Sequence, residues 1–100
     1  MEIIKQLNDK ELTLVLKGEL NTYTANDLDV VIQKDLKNIN SLIIDMSELS
    51  YLTSAGLRVL LVAQRIMNEK KGSLVVRHVN KSIMEVFEIT GFANVLTIKN

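Results

Sequence analysis

Apolar positions along the chain change period several times, and each change marks an element. Leu12, Leu14 and Leu16 alternate with Glu11, Thr13, Val15 and Lys17, which predicts a strand with one buried face. Glu2 to Leu7 alternates in part, and Asn8-Asp9-Lys10 tolerates a tight reversal, so a hairpin is expected at the N-terminus. Gly18 should end its second strand. The period then becomes helical: Ala25, Leu28, Val31, Ile32 and Leu36 recur at intervals of three and four, with Thr22 or Thr24 available as the cap. Asn38-Ile39-Asn40 breaks that helix and leads into a strand over Ser41 to Met46, where Leu42, Ile43 and Ile44 form the short apolar run of a strand covered on both faces.

A polar loop, Ser47 to Thr53, should connect this strand to a second helix from about Ser54 to Asn68, which carries Leu57, Leu60, Leu61 and Ile66 at helical spacing. Thr53 and Ser54 both suit an N-cap, because a hydroxyl there can accept a bond from an orphan N–H of the first turn. Gly56 lowers helix propensity within that turn and implies that a backbone or a partner comes close. Glu69-Lys70-Lys71-Gly72 suits a helix C-terminus. Ser73 to Val79 reads as a strand, and Asn80 or Ser82 should start a short helix in which Ser82 and Glu85 have the form of a capping box. Ile83, Val86, Phe87 and Thr90 share one face of it, and Gly91 stops it. Val95 to Ile98 reads as a last strand at a sheet edge.

This order predicts an α/β fold: a mixed sheet with an N-terminal hairpin, parallel core strands and right-handed crossover helices. Residues 1–100 are expected to form a single domain. The loops Gly18 to Thr22, Ser47 to Thr53 and Asn80 to Lys81 all follow the C-terminal ends of presumed parallel strands. They should meet on one edge, where open α/β sheets place their ligand or partner site.

Composition narrows the function classes. At 100 residues and 47% hydrophobic content the chain can build one modest core. The absence of cysteine excludes a disulfide framework and a thiolate metal site, and the single His78 cannot build a histidine metal cluster. Twelve basic residues balance twelve acidic ones with no block of one sign, which argues against direct nucleic-acid binding. With no spanning apolar run and no secretory pattern, a soluble, cytoplasmic protein is expected. An enzyme has little to stand on: Ser54 lies in no G-x-S-x-G elbow, His78 sits on a strand without an identifiable acid partner, and no phosphate loop is present. No cofactor or metal is expected. Arg58 and Arg65, seven apart, share one side of the second helix, and Met46, Met67 and Met84 read as core filler.

At Asp45, Ser54, Gly56 and Leu57 the chain resembles the STAS family, in its single-domain anti-sigma factor antagonist branch. An acidic residue ends a strand, a loop follows, and a serine precedes Gly-Leu at a helix start. Gly18-Glu19-Leu20-Asn21-Thr22-Tyr23-Thr24-Ala25 is similar to the family's Gly-Glu-(Ile/Leu)-Asp loop, and Val86 to Phe92 is similar to its last helix and turn. In that branch the serine is phosphorylated by a partner kinase, which assigns the role to Ser54, with Thr53 a less favoured acceptor. The resemblance implies a partner surface comprising Glu19, Asn21, Thr22, Tyr23, Ser50, Tyr51, Thr53, Gly56, Leu57 and Arg58, with Asp45 structural at the site.

The function it implies is that of a bacterial partner-switching regulator. Unphosphorylated, it would bind an anti-sigma factor that is also a serine kinase; phosphorylation of Ser54 would end the binding and a serine phosphatase would restore it. The alternative is a constitutive interaction subunit of a lipid-transport or stress-signalling assembly, and a third reading is a small-ligand binder using the same edge. Thr53, Ala55 and Asn21 stand where many antagonists carry Asp, a second hydroxyl residue and Asp. The missing negative charges make a phosphate at Ser54 easier to accommodate. On residue type alone Ser54 is a helix cap.

Overall fold

The computed structural model describes residues 1–99. A hairpin of β1 (Glu2–Asn8) and β2 (Glu11–Leu20) turns at Asp9-Lys10, with Asp9 in the left-handed region at φ 58°. There follow α1 (Ala25–Asp35) with a 3-10 turn over Leu36–Asn38, β3 (Ser41–Leu52), α2 (Ser54–Glu69), β4 (Ser73–Arg77), α3 (Lys81–Thr90) and, after a 3-10 turn at Phe92–Asn94, β5 (Ile98–Lys99). The five-stranded sheet has the order β1-β2-β3-β4-β5. Among the described residues only β1 and β2 pair antiparallel; the remaining neighbours are parallel.

Since the strand order runs in one direction, right-handed crossovers put all three helices on the same face of the sheet. Leu12, Leu14, Leu16, Leu42, Ile44, Met46, Leu74 and Val76 project into that face and meet Leu28, Ile32, Leu60, Ala63, Met67, Ile83 and Phe87 from the helices. Their intervening neighbours Thr13, Val15, Ile43 and Val75 are only half-buried. The run Leu42-Ile43-Ile44 is therefore not a strand covered on both faces, as its apolarity suggested. Ile43 stands on the open side, beside Thr13 and Val75.

The largest departure from expectation lies after Met46. Residues 47–52 are not a loop but a continuation of β3, still paired with β2 through Lys17↔Glu48, Gly18↔Leu49, Glu19↔Tyr51 and Leu20↔Leu52. Two register shifts make this possible, each placing an extra β3 residue opposite β2. Each extra residue moves the buried position on by one, so burial goes from Met46 to Leu49 to Leu52. Apolar residues three apart, among Ser, Glu and Tyr, carry neither a strand nor a helix signature. Gly18, at φ 103°, lies within β2 rather than ending it.

Other boundaries shift for local reasons. β4 ends at Arg77, because His78 takes φ 60° and leaves the sheet. The side chain of Asn80 accepts the N–H of Ile83 at 2.8 Å and caps α3, so the expected Ser82–Glu85 capping box does not form. Gly91, at φ 83°, closes α3 with its N–H on the carbonyl of Glu88. β5 is shorter and later than expected, since Phe92–Asn94 turn first and Leu96 points into the core. Among the described residues no helix is long and apolar enough to cross a membrane.

Candidate functional site

The ends of β2 and β3 and the starts of α2 and α3 converge at the edge of the sheet where the parallel strands end. Direct bonds hold them together. The Thr53 N–H donates to the carbonyl of Leu20 at 3.0 Å, the Ser50 hydroxyl to the carbonyl of Gly18 at 3.0 Å, and the Asn80 side-chain amide to the carbonyl of Leu49 at 3.0 Å. Glu19 and Tyr51 are register partners. The two sequence patches around Asn21 and Ser54 are thus one surface.

Ser54 is the first residue of α2 and is exposed. Neither it nor Thr53 bonds the first turn through its hydroxyl: Thr53 occupies the cap position in an extended conformation, and its Oγ1 is buried without a hydrogen-bond partner. The first-turn N–H groups beside Ser54 are therefore not engaged by a capping side chain. Gly56 has an internal reason. A Cβ there would lie 2.6 Å from Cγ and 2.9 Å from Cδ2 of Leu20, which is fully buried. Gly56 and Leu57 are both buried, so they fix how α2 seats on β2, and their side-chain positions offer nothing to an approaching molecule. Arg58 is exposed, one turn along α2 from Ser54.

On the neighbouring loop, Asn21 serves its own backbone. Its Oδ1 accepts the N–H groups of Tyr23 at 2.9 Å and Thr24 at 3.1 Å, while the Thr24 hydroxyl accepts the Asn21 N–H and donates to the carbonyl of Glu19. This closed set of bonds replaces the threonine cap expected for α1, where Thr24 makes no side-chain cap bond. The turn raises Tyr23 into solvent at 90% exposure, and Tyr51 is 54% exposed. Rings of that size left in water on an edge with Glu19, Thr22, Ser50, Ser54 and Arg58 are the kind of anchors that interfaces use.

Asp45 stands behind the edge. Its Oδ1 accepts the Ser47 N–H at 2.8 Å, and the His78 ring Nδ1 lies 3.3 Å away. Burial acts to raise its pKa, but the bonds from the Ser47 backbone and side chain and the contact with His78 outweigh it and hold the carboxyl below the ordinary Asp value. His78 thus has an acid partner that the sequence reading missed. Asp45 pairs with Arg77, the last residue of β4, and the left-handed turn at His78 brings the ring back beside the carboxylate, a geometry that no periodicity announces. Asn80, expected both to start a helix and to lie on the converging edge, also ties α3 to β3. Among the described residues no group of three or more His, Asp or Glu side chains is placed to hold a metal ion.

A sheet of this order, with helices on one face and a serine opening the helix after β3, makes a small one-sided α/β domain, and the family comparison places it: the family model described as "Mlab, STAS domain" matches residues 3–97, so the chain belongs to the STAS domain family. The anti-sigma-B factor antagonist of Listeria monocytogenes is 30% identical over 98 residues, covering 97% of this chain and 86% of that protein. BtrV of Bordetella bronchiseptica is 30% identical over 101 residues, covering 100% of this chain and 87% of its own length. Among solved structures, the Bacillus cell fate determinant SpoIIAA in its phosphorylated form superposes with a TM-score of 0.78 at 16% identity, over 99% of this chain and 92% of that one.

Proposed function

We propose that the chain is an anti-sigma factor antagonist that works by partner switching. Unphosphorylated, it binds an anti-sigma factor that doubles as a serine kinase, so that a sigma factor is freed; phosphorylation of Ser54 ends the binding, and a serine phosphatase restores it. The site of action is the cytoplasm. The observation that carries the proposal is the position of Ser54: exposed, at the N-terminus of α2, on the edge where β2, β3 and α3 converge.

A phosphate there adds nearly two negative charges at the positive end of a helix, which is favourable by about 0.3–2 kcal/mol. The domain survives the modification, and the effect falls on whatever faces the edge. Tyr23, Tyr51, Glu19, Thr22, Ser50 and Arg58 supply the contact surface, and Asn21, Thr53, Gly56, Leu57 and Asp45 shape it from behind. Relatives named as antagonists support this reading at 30% identity over nearly the whole chain.

The test is to incubate the protein and a Ser54→Ala variant with ATP and each anti-sigma-type kinase of the same genome, then weigh the intact proteins by mass spectrometry. One added phosphate on the parent and none on the variant is the expected result. No phosphate with any kinase would favour the constitutive docking subunit of a larger assembly, with Ser54 reduced to a helix-terminal residue.

A further inference from the structure

We infer that Arg58 is a positioning residue for a phosphoryl group on Ser54, and that phosphorylation consequently takes Arg58 away from the partner as well as adding charge. The inference rests on Ser54 being the acceptor. Four residues along a helix is one turn and about 40° of rotation, so the two side chains are surface neighbours with Cβ atoms about 5–6 Å apart. Side chains on a helix lean toward its N-terminus, so the turn that holds Ser54 lies within reach of the Arg58 guanidinium. Ser54 and Arg58 are both exposed.

A second observation concerns what Arg58 does without a phosphate. It lines a groove of about 440 Å³ between α1 and α2, together with Ala25, Asn26, Asp29 and Ala55. Asp29 is the carboxylate of that groove, but it forms no ion pair with Arg58, and its Oδ1 accepts from the Gln33 amide at 3.4 Å. Among the described residues no carboxylate lies within ion-pair distance of Arg58. Ala55 places only a methyl group between the groove and the helix start. The guanidinium is therefore an unpaired cation beside the acceptor serine, free to meet a carboxylate of the partner. A phosphoserine presents close to two charges and three acceptor oxygens, and a guanidinium binds such a group through two parallel bonds. Capture by its own phosphate removes Arg58 from the intermolecular contact.

The experiment installs phosphoserine at position 54 during translation, so that no kinase is needed, and follows its ³¹P shift against pH in the parent, Arg58→Gln and Arg58→Lys. The second phosphate ionisation, about 6 in free phosphoserine, should be lower in the parent than in Arg58→Gln by about 0.3 unit, with Arg58→Lys between them. Identical titrations in all three proteins would overturn the inference. Binding to the kinase that modifies Ser54 gives an independent arm: Arg58→Gln should weaken the unmodified complex and shrink the fold-loss caused by phosphate. An undiminished fold-loss would overturn the withdrawal of Arg58. Since the titration needs no kinase, failure of the functional reading and failure of the Arg58 inference are separate results. Arg58 is an exposed helix residue, and an unchanged urea midpoint will show that its variants are folded.

Discussion

Replacing Gly56 by alanine tests how the switch helix is seated. At an exposed helix position the change would stabilise by about 0.8–1 kcal/mol, through lower backbone entropy in the unfolded chain and better helix propensity. Here the new methyl would lie 2.6 Å from Leu20 Cγ and 3.2 Å from the Leu20 carbonyl oxygen. Neither atom yields easily: Leu20 is fully buried, and its carbonyl accepts the Thr53 N–H. A contact this short places the cost in the upper part of the usual overpacking range, about 2–3 kcal/mol, so the net expectation is a loss of about 1–2 kcal/mol despite the propensity gain. Urea unfolding should show a lower midpoint at unchanged slope. In the Gly56→Ala/Leu20→Ala double variant the combined loss should fall short of the sum by about 1 kcal/mol, because the second truncation removes the clash. A Gly56→Ala protein as stable as the parent, or more stable, would refute the close approach of α2 to β2.

Three further outcomes are expected. Because the Asp45 pKa is lowered in the fold, the stability that this shift contributes is present above the unfolded value of about 3.9 and is lost as pH falls through the lower folded value; the gap in urea midpoint between the parent and Asp45→Asn should hold from neutral pH down and close in acid, and a gap constant to about pH 2 would contradict the shift. Asn80→Ala removes the α3 cap and the tie to Leu49, at a cost of about 1–2 kcal/mol in the same assay, whereas a change under about 0.5 kcal/mol would dismiss the cap. Thr53→Val deletes a buried hydroxyl that has no partner and should leave stability unchanged or raise it by up to about 1 kcal/mol; a clear loss would mean that the hydroxyl is bonded.

Much of this fold was legible because its elements keep a steady period. The leucines of β2 alternate, α1 repeats every three to four residues, and the strand–helix order leaves few topologies open. What the chain hid lies where backbone geometry overrides period. The two register shifts in β3 disguise residues 47–52 as a loop, and the left-handed His78 ends β4 early without a glycine to announce it. Burial on one face only was equally hidden, since Ile43 and Val75 are apolar but stand on the open side. At the site, the meeting of the Asn21 and Ser54 patches followed from parallel topology alone. The roles of Asn21 and Gly56 did not, because a side chain folded onto its own loop and a missing side chain opposite Leu20 are properties of packing, visible only in three dimensions.

On the proposed switch, one phosphate on Ser54 changes binding without changing the fold. The most direct test is calorimetric titration of the cognate anti-sigma factor kinase with unmodified and Ser54-phosphorylated protein, with urea midpoints measured on both forms. Equal or slightly higher stability is expected for the phosphorylated form, with an affinity at least about 100-fold lower, roughly the 2.7 kcal/mol that charge repulsion at an interface readily supplies. Equal affinities, or a loss of affinity that follows a loss of stability, would contradict the switch.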